Sequence, residues 1–373
     1  MTMRRLPLIL ALLLVPSLQA CGRGDKVPPP LEPAALSAVV DKPGVSRERL
    51  ARAVDALFAD DDAGETRALI LLSEGRIIAE RYGEGYNRDS RLIGWSMAKT
   101  VTGVMIGQLV ADGRLRLNET APVPTWQRSG DPRGEITLRQ LLQMRSGLRH
   151  TEAGSPVYES DEVRMLFLDG RDDMAAYAEA QPLEAEPGRR FEYSSATTVI
   201  LADLAARALT ENPDPAFRRK AVRDYLHTRL LDPVGMKSAV VEFDAAGTLI
   251  GSSVMHATAR DWAKFGEFLR NGGAVRGAQL VPRGWVDFMK TSSPRNAAYG
   301  AQLWLNKPAE GEDMLFPDRA PRTAFACIGH LGQYVIVSPG QKLTLVRLGK
   351  TDGEHRARLR ERLADILAVF PRD

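Results

Sequence analysis

The 373-residue chain reads as one α+β domain: an antiparallel sheet built from both chain ends, flanked by helices, with a mostly helical lobe inserted between them. Three observations carry this expectation. Strand-like apolar runs lie near the start (68–72 and 77–82) and near the end (325–328, 334–337 and 343–348), and Gly-containing turns separate them. The long middle, from about 97 to 230, instead repeats apolar residues at helical spacing. Amphipathic helices stand before the first runs and after the last, at 46–59 and in EHRARLRERLADILAVF at the C-terminus.

Taken in order, the first segment is MTMRRLPLILALLLVPSLQAC. Two arginines, an apolar stretch and small residues give it the layout of a secretory signal peptide over 1–20. Leu18-Gln19-Ala20-Cys21 resembles a bacterial lipoprotein box, although Gln19 is not the usual small residue. The expectation is an exported, periplasmic protein, attached to the membrane if Cys21 is lipidated and free if the leader is cleaved without lipid. Cys21 and Cys327 are the two cysteines, so a lipidated Cys21 leaves no disulfide to form. Residues 21–44 are rich in Pro and Gly and read as a tether, with the domain spanning 45–373.

Within the domain, Leu50, Val54, Leu57 and Phe58 mark the first helix. The runs 68–72 and 77–82 form a hairpin about a Ser-Glu-Gly turn. Val101, Val104, Met105 and Leu109 share a helix face that stops at Asp112-Gly113, Leu138 to Met144 gives another helix, and Thr198 to Leu209 a third. HATARDWAKFGEFLRNGG is again amphipathic. The net charge is +3, or +1 without Arg4 and Arg5, and no basic run is interleaved with aromatics, which excludes nucleic acid as a partner. No cofactor is implied, because there is neither a G-x-G-x-x-G nor a P-loop. His150, His227, His256 and His355 have no metal-ligand spacing, so no metal is expected.

The chemistry concentrates in GWSMAKTVTG (94–103). Ser96 and Lys99 stand at i and i+3, on one face of a helix start. A neutral lysine amine there can take the serine proton, and the helix N-terminus favours both the alkoxide and an unprotonated lysine. With 18 serines and 10 lysines the chain holds one S-x-x-K pair, and chance alone supplies about half of one. Gly94-Trp95-Ser96-Met97-Ala98 is also one residue short of a G-x-S-x-G nucleophile elbow. That reading needs parallel strands before the serine and a late Asp and His, and only one hairpin precedes Ser96.

Two further segments decide between these readings. Phe191-Glu192-Tyr193-Ser194-Ser195 precedes an apolar helix, and Gly329-His330-Leu331-Gly332-Gln333 lies between two C-terminal strands. With S-x-x-K, they make the chain resemble the serine β-lactamase and penicillin-recognising superfamily, and within it the class C-related esterases and 6-aminohexanoate-dimer hydrolases. LLQMRSGL, GSSVMHATARDWAKFGEFL and YGAQLWLN extend the resemblance over nearly the whole mature chain. It implies a β-lactamase/transpeptidase-like fold and a cofactor-free serine hydrolase acting on a small ester or amide. Ser96 would be the nucleophile, Lys99 and Tyr193 the proton-handling pair, and the backbone N–H groups of Ser96 and Gln333 the oxyanion hole. Ser195, His330, Gly332 and, more loosely, Tyr158 would contact substrate. Ser195 stands where an Asn is usual and His330 where a lysine would hold a penicillin carboxylate, so an ester or small amide is expected rather than a β-lactam. The non-enzymatic alternative is a penicillin-recognising sensor that is acylated slowly or not at all.

Overall fold

A computed structural model describes residues 30, 31, 33–311 and 314–372. The expected signal peptide and Cys21 lie outside the described residues. Helices α1 (Pro33–Ser37) and α2 (Arg47–Ala59) precede the hairpin β1 (Glu65–Ser73) and β2 (Arg76–Tyr82). Strand β3 (Leu92–Ile93) leads into α3 (Ala98–Ala111). The helical lobe follows as α4 (Leu138–Leu142), α5 (Asp161–Phe167), α6 (Met174–Glu179), α7 (Ser195–Leu209), α8 (Pro215–Leu226) and the single turn α9 (Asp232–Val234). Short strands β4 (Val240–Val241) and β5 (Met255–Ala257) return the chain to α10 (Ala259–Arg270). A ribbon of β6 (Ala274–Val275) and β7 (Ala278–Gln279) precedes α11 (Arg283–Met289). The chain closes with β8 (Trp304–Leu305), β9 (Phe325–Gly329), β10 (Gln333–Ser338), β11 (Leu343–Lys350) and α12 (Arg356–Leu367).

The sheet has the order β2-β1-β11-β10-β9-β8 and is antiparallel throughout. The first hairpin therefore pairs with the last strand, as expected for a sheet shared by both chain ends. This architecture removes the nucleophile-elbow reading, which requires a parallel sheet. Both faces are covered. Ile70, Val335 and Val346 pack into one core with Val101 of α3, Ile200 of α7 and Phe265 of α10. Leu69, Leu71, Ile336 and Leu345 alternate with them and meet Leu50, Leu57, Leu363 and Leu367 of α2 and α12. Burial on both faces is why these strands read as unbroken apolar runs instead of alternating ones.

The structured domain starts before the expected boundary at residue 45. Val39 is 1% exposed and bridges Ala79. Val40 N–H donates to Ile78 O, and Glu80 N–H donates to Ala38 O. Part of the segment read as a tether thus covers the free edge of β2, whose backbone groups would otherwise lack partners.

Two helices position the site. Every residue from Ala98 to Leu109 of α3 is buried, as is every residue from Ser195 to Ala206 of α7. Helices enclosed on all sides carry apolar or small residues around the whole barrel, and these two do. Their few polar side chains are tied across the interior: Thr100 Oγ1 donates to Gln302 O, Thr102 Oγ1 to Gly251 O, and Thr198 Oγ1 to Gln302 Oε1. The two N-termini consequently arrive at one point.

Candidate active site

Ser96 sits in a single 3-10 turn, Trp95–Met97, immediately before α3. Gly94 fits because nothing larger does: a Cβ there would lie 2.4 Å from Trp262. Trp95 adopts φ 48°, the left-handed region, at a cost of about 1–2 kcal/mol for a non-glycine residue. Packing holds it there, since its ring meets His330 edge-on at 5.6 Å. Local strain beside a candidate nucleophile fixes the direction of its side chain.

Lys99, one turn into α3, is 1% exposed. Its Nζ lies 3.0 Å from Ser96 Oγ, 2.8 Å from Ser195 Oγ and 3.0 Å from Ser252 O. Glu152 Oε1 is 3.8 Å away. Burial pushes the Lys99 pKa down, but Tyr193, Glu152 and Glu162 pull harder and hold it above the ordinary lysine value. The helix N-terminus favours a neutral amine, but Tyr193 and the two carboxylates pull the resting lysine toward the ammonium.

Tyr193 stands just before Ser194, which caps α7 by accepting from Thr197 N–H. Lys99 Nζ is 4.8 Å from the centre of its ring. Burial raises the Tyr193 pKa and outweighs the lowering effects of Lys99 and of hydrogen bonding to Ser96 and Lys99. Tyr299 and Trp304, from the YGAQLWLN segment, pack against it with ring centres 5.8 and 5.4 Å away.

The other expected residues divide. His330 and Gly332 line the same cavity of about 540 Å³ as Ser96 and Tyr193. His330 is held below the ordinary histidine pKa by burial and by Arg356, so its imidazole is neutral near pH 7. Gly332 takes φ 76° in the β9–β10 turn, and a Cβ there would come within 2.6 Å of Leu359. Its fit is to the turn as well as to the cavity. Gln333 is 2% exposed and pairs with Gly329 across the hairpin. Its side chain donates to His330 O, Leu331 O and Gly349 O. The β9 residues that face the cavity are Ile328 and Gly329.

Two expectations change. Ser195 does not face the cavity; it is 0% exposed and sits between Lys99 and a carboxylate. Its N–H donates to Glu152 Oε2 at 2.7 Å, and its Oγ lies 2.7 Å from Glu152 Oε1 and 3.3 Å from Glu162 Oε1. The first residue of a buried helix has its side chain turned inward, a direction that sequence spacing does not reveal. Tyr158 is 60% exposed and does not line the cavity, whereas its neighbour Val157 does. One turn of 3-10 helix, Val157–Glu159, turns the tyrosine to solvent.

The same segment held what sequence reasoning missed. Glu152 and Glu162 flank the Ser–Lys pair, and buried His150 places Nε2 2.6 Å from Glu152 Oε2. An ionised Glu152 carboxylate can only accept, so Nε2 donates, while Nδ1 has no partner among the described residues. Arg356 and Arg360 of α12 complete the lining on the hairpin side. A pair of acids ten residues apart, TEAGSPVYESDE, was the available signal, but without the fold it reads as a solvated loop.

The Beta-lactamase family profile matches residues 54–370. The chain belongs to the Beta-lactamase family. A curated 6-aminohexanoate-dimer hydrolase from Paenarthrobacter ureafaciens is 25% identical over 275 residues, 71% of this chain. The chain spans 65% of that relative's length. Among solved structures, a Bacillus anthracis protein provisionally named 6-aminohexanoate-dimer hydrolase superposes with a TM-score of 0.66 at 22% identity, covering 83% of this chain and 81% of that one. A family VIII carboxylesterase gives a TM-score of 0.59 at 18% identity, covering 84% and 96%. These likenesses place the fold among β-lactamase-like α+β domains.

Proposed function

We propose that the protein is a serine hydrolase that cleaves small esters or amides through an acyl-enzyme on Ser96. The observation that carries this reading is Lys99 Nζ at 3.0 Å from Ser96 Oγ, with Ser96 opening into a cavity walled by Tyr193 and Trp304. Ser96 Oγ attacks the acyl carbon and gives its proton to neutral Lys99. Tyr193, protonated near neutrality, passes its proton to the leaving group and recovers one from Lys99. The oxyanion is met by the N–H of Ser96 and by a second backbone N–H. Gln333 is buried beside the turn, so we place that second donor on the cavity-facing end of β9 at 328–330. Water then repeats the steps in reverse and frees Ser96.

The cavity carries carboxylates on the Lys99 side and Arg356, Arg360 and His330 on the hairpin side. A short linear amide with an amino group at one end and a carboxylate at the other suits this polarity, which ranks 6-aminohexanoate dimer high among substrates to test. A neutral His330 holds a penicillin carboxylate less firmly than an ammonium would, so β-lactams rank low. Export through the N-terminal leader and lipid attachment at Cys21 remain part of the proposal. Mass spectrometry after a fluorophosphonate checks the core of it. We expect an adduct on Ser96 that disappears in S96A, with turnover of p-nitrophenyl acetate or butyrate and little of nitrocefin. Folded protein that takes no label overturns the hydrolase reading; acylation without release favours the sensor.

A further inference from the structure

The site holds more acid than a Ser–Lys–Tyr centre needs. Lys99 Nζ has three short contacts, and one of them, Ser252 O, can only accept. Ser195 Oγ must also accept from Lys99, because its own proton is directed at Glu152 or Glu162. The contact with Ser96 suits a third N–H of an ammonium or the lone pair of a neutral amine, and the pull of Tyr193, Glu152 and Glu162 favours the ammonium. In that state Lys99 has no lone pair for the Ser96 proton. Acylation therefore needs a route by which Lys99 first loses one.

We propose that Ser195, Glu152 and Glu162 form a proton relay behind Lys99, which takes the lysine from its resting ammonium to the neutral base that acylation needs. The Nζ–H bond on the Ser195 side breaks and its proton goes to Ser195 Oγ, while the Ser195 O–H proton goes to Glu162. Lys99 is left neutral, Glu162 neutral and Ser195 unchanged in net charge. Rotation about the Lys99 Cε–Nζ bond turns the lone pair to Ser96, and the Ser195 hydroxyl turns back to Glu152.

The two carboxylates divide the work. Glu152 stays ionised: it accepts from Ser195 N–H and His150 Nε2, lies at the N-terminus of α7, and faces the Lys99 charge. Burial opposes its ionisation, but these partners hold its pKa well below the ordinary value. Among the described residues, the carboxylate of Glu162, on α5, makes only the longer contact to Ser195 Oγ, and it faces the Glu152 charge. Burial and that repulsion raise its pKa, against the opposite pull of Lys99, Ser195 and His150. It also lines the cavity, where it can return the proton to solvent. Tyr193 is the remaining titratable group against Lys99 and keeps its proton for the leaving group.

Glu162 and Ser195 act through Lys99, so they are positioning and relay residues. The proposal rests on acylation at Ser96, which S96A tests separately: loss of labelling there with no change below would sink the relay alone. The experiment is the dependence of kcat/KM for p-nitrophenyl acetate on pH, from about 5 to about 10, in wild type, E162Q and S195A. The expected result is a wild-type acid limb set by Glu162. Both variants should fall roughly 10–100-fold near neutrality, with that limb displaced to higher pH, because Lys99 must then lose its proton directly to solvent. E162Q is nearly isosteric and cavity-facing, so it decides the matter if S195A does not fold. A folded E162Q with the wild-type rate and profile overturns the relay. So does a lower rate with the acid limb unmoved, which would leave Glu162 a packing role.

Discussion

Single residues here act through their charge state, and Glu162 gives the sharpest consequence outside catalysis. Its folded pKa, raised to about 7, lies above that of an unfolded glutamate, chiefly through burial and then Glu152. The sign follows directly. The protonated form is favoured in the fold, so the contribution to stability is full below the unfolded value and is lost as pH rises through about 7. E162Q should therefore be more stable than wild type at about pH 8, by about 1–2 kcal/mol, with the difference gone near pH 5. Thermal denaturation at the two pH values checks this, and a destabilised E162Q at pH 8 would contradict it. Glu152 runs the other way, since its depressed pKa adds stability above the unfolded value and loses it only in strong acid. The relay residue thus costs stability at the pH where it works.

Arg347 is a second residue-scale case. It is 0% exposed, yet it is held by carbonyls and hydroxyls: Gly332 O, Leu331 O, Glu65 O, Thr66 Oγ1 and Thr351 Oγ1. Burial pushes its pKa down to about 9. The guanidinium thereby ties the β9–β10 turn, which carries His330, to the start of β1. R347M should cost about 3 kcal/mol or more, because several buried carbonyls lose their donor. It should also lower kcat by loosening the cavity wall, and calorimetry with steady-state kinetics would show both effects or refute the link.

At the scale of elements, the site is a junction of one turn, two helix starts and one strand end. The nucleophile turn lies directly against β9: a Cβ at Gly329 would fall 2.1 Å from Gly94 O. G329A must therefore separate the strand from the turn that carries Ser96. A displacement near 1 Å at a reacting group costs on the order of 100-fold in rate. We expect G329A to lose about that much kcat/KM while remaining folded, as judged by circular dichroism; unchanged kinetics would show that β9 does not set the geometry. Helices α3 and α7 were legible from apolar spacing; α3 stops at Asp112 as expected, whereas α7 begins at Ser195, three residues before the expected Thr198. That Ser195, the first residue of α7, would turn inward toward Lys99 was not legible, because side-chain direction at a helix start depends on which neighbour covers it.

At the scale of the molecule, the sheet closes only when the last strand meets the first. β1 lies between β2 and β11, and β11 is bonded in turn to β10. Without residues beyond 324, β1 and β2 remain as an isolated hairpin, which is marginal in water. A chain ending at residue 324 should show no cooperative thermal transition, and a normal transition would mean that the helical lobe folds independently.

The sequence alone determined the class, the five long strands and the Ser96–Lys99 pair, because these rest on periodicity and on spacing within short segments, while the company of Tyr193 and His330 came from the family resemblance that those segments carry. It also led to SPVYESDEV, residues 155–163, which contains Glu162, but through Tyr158, which the structure turns to solvent. The tertiary structure decided the surroundings that favour a charged Lys99, the inward direction of Ser195 and the presence of His150, Glu152 and Glu162 beside them. Those depend on burial and on distances between segments far apart in the chain. An acidic residue in a loop carries no mark of whether water or a buried ammonium will face it, and only the packed fold supplies that partner.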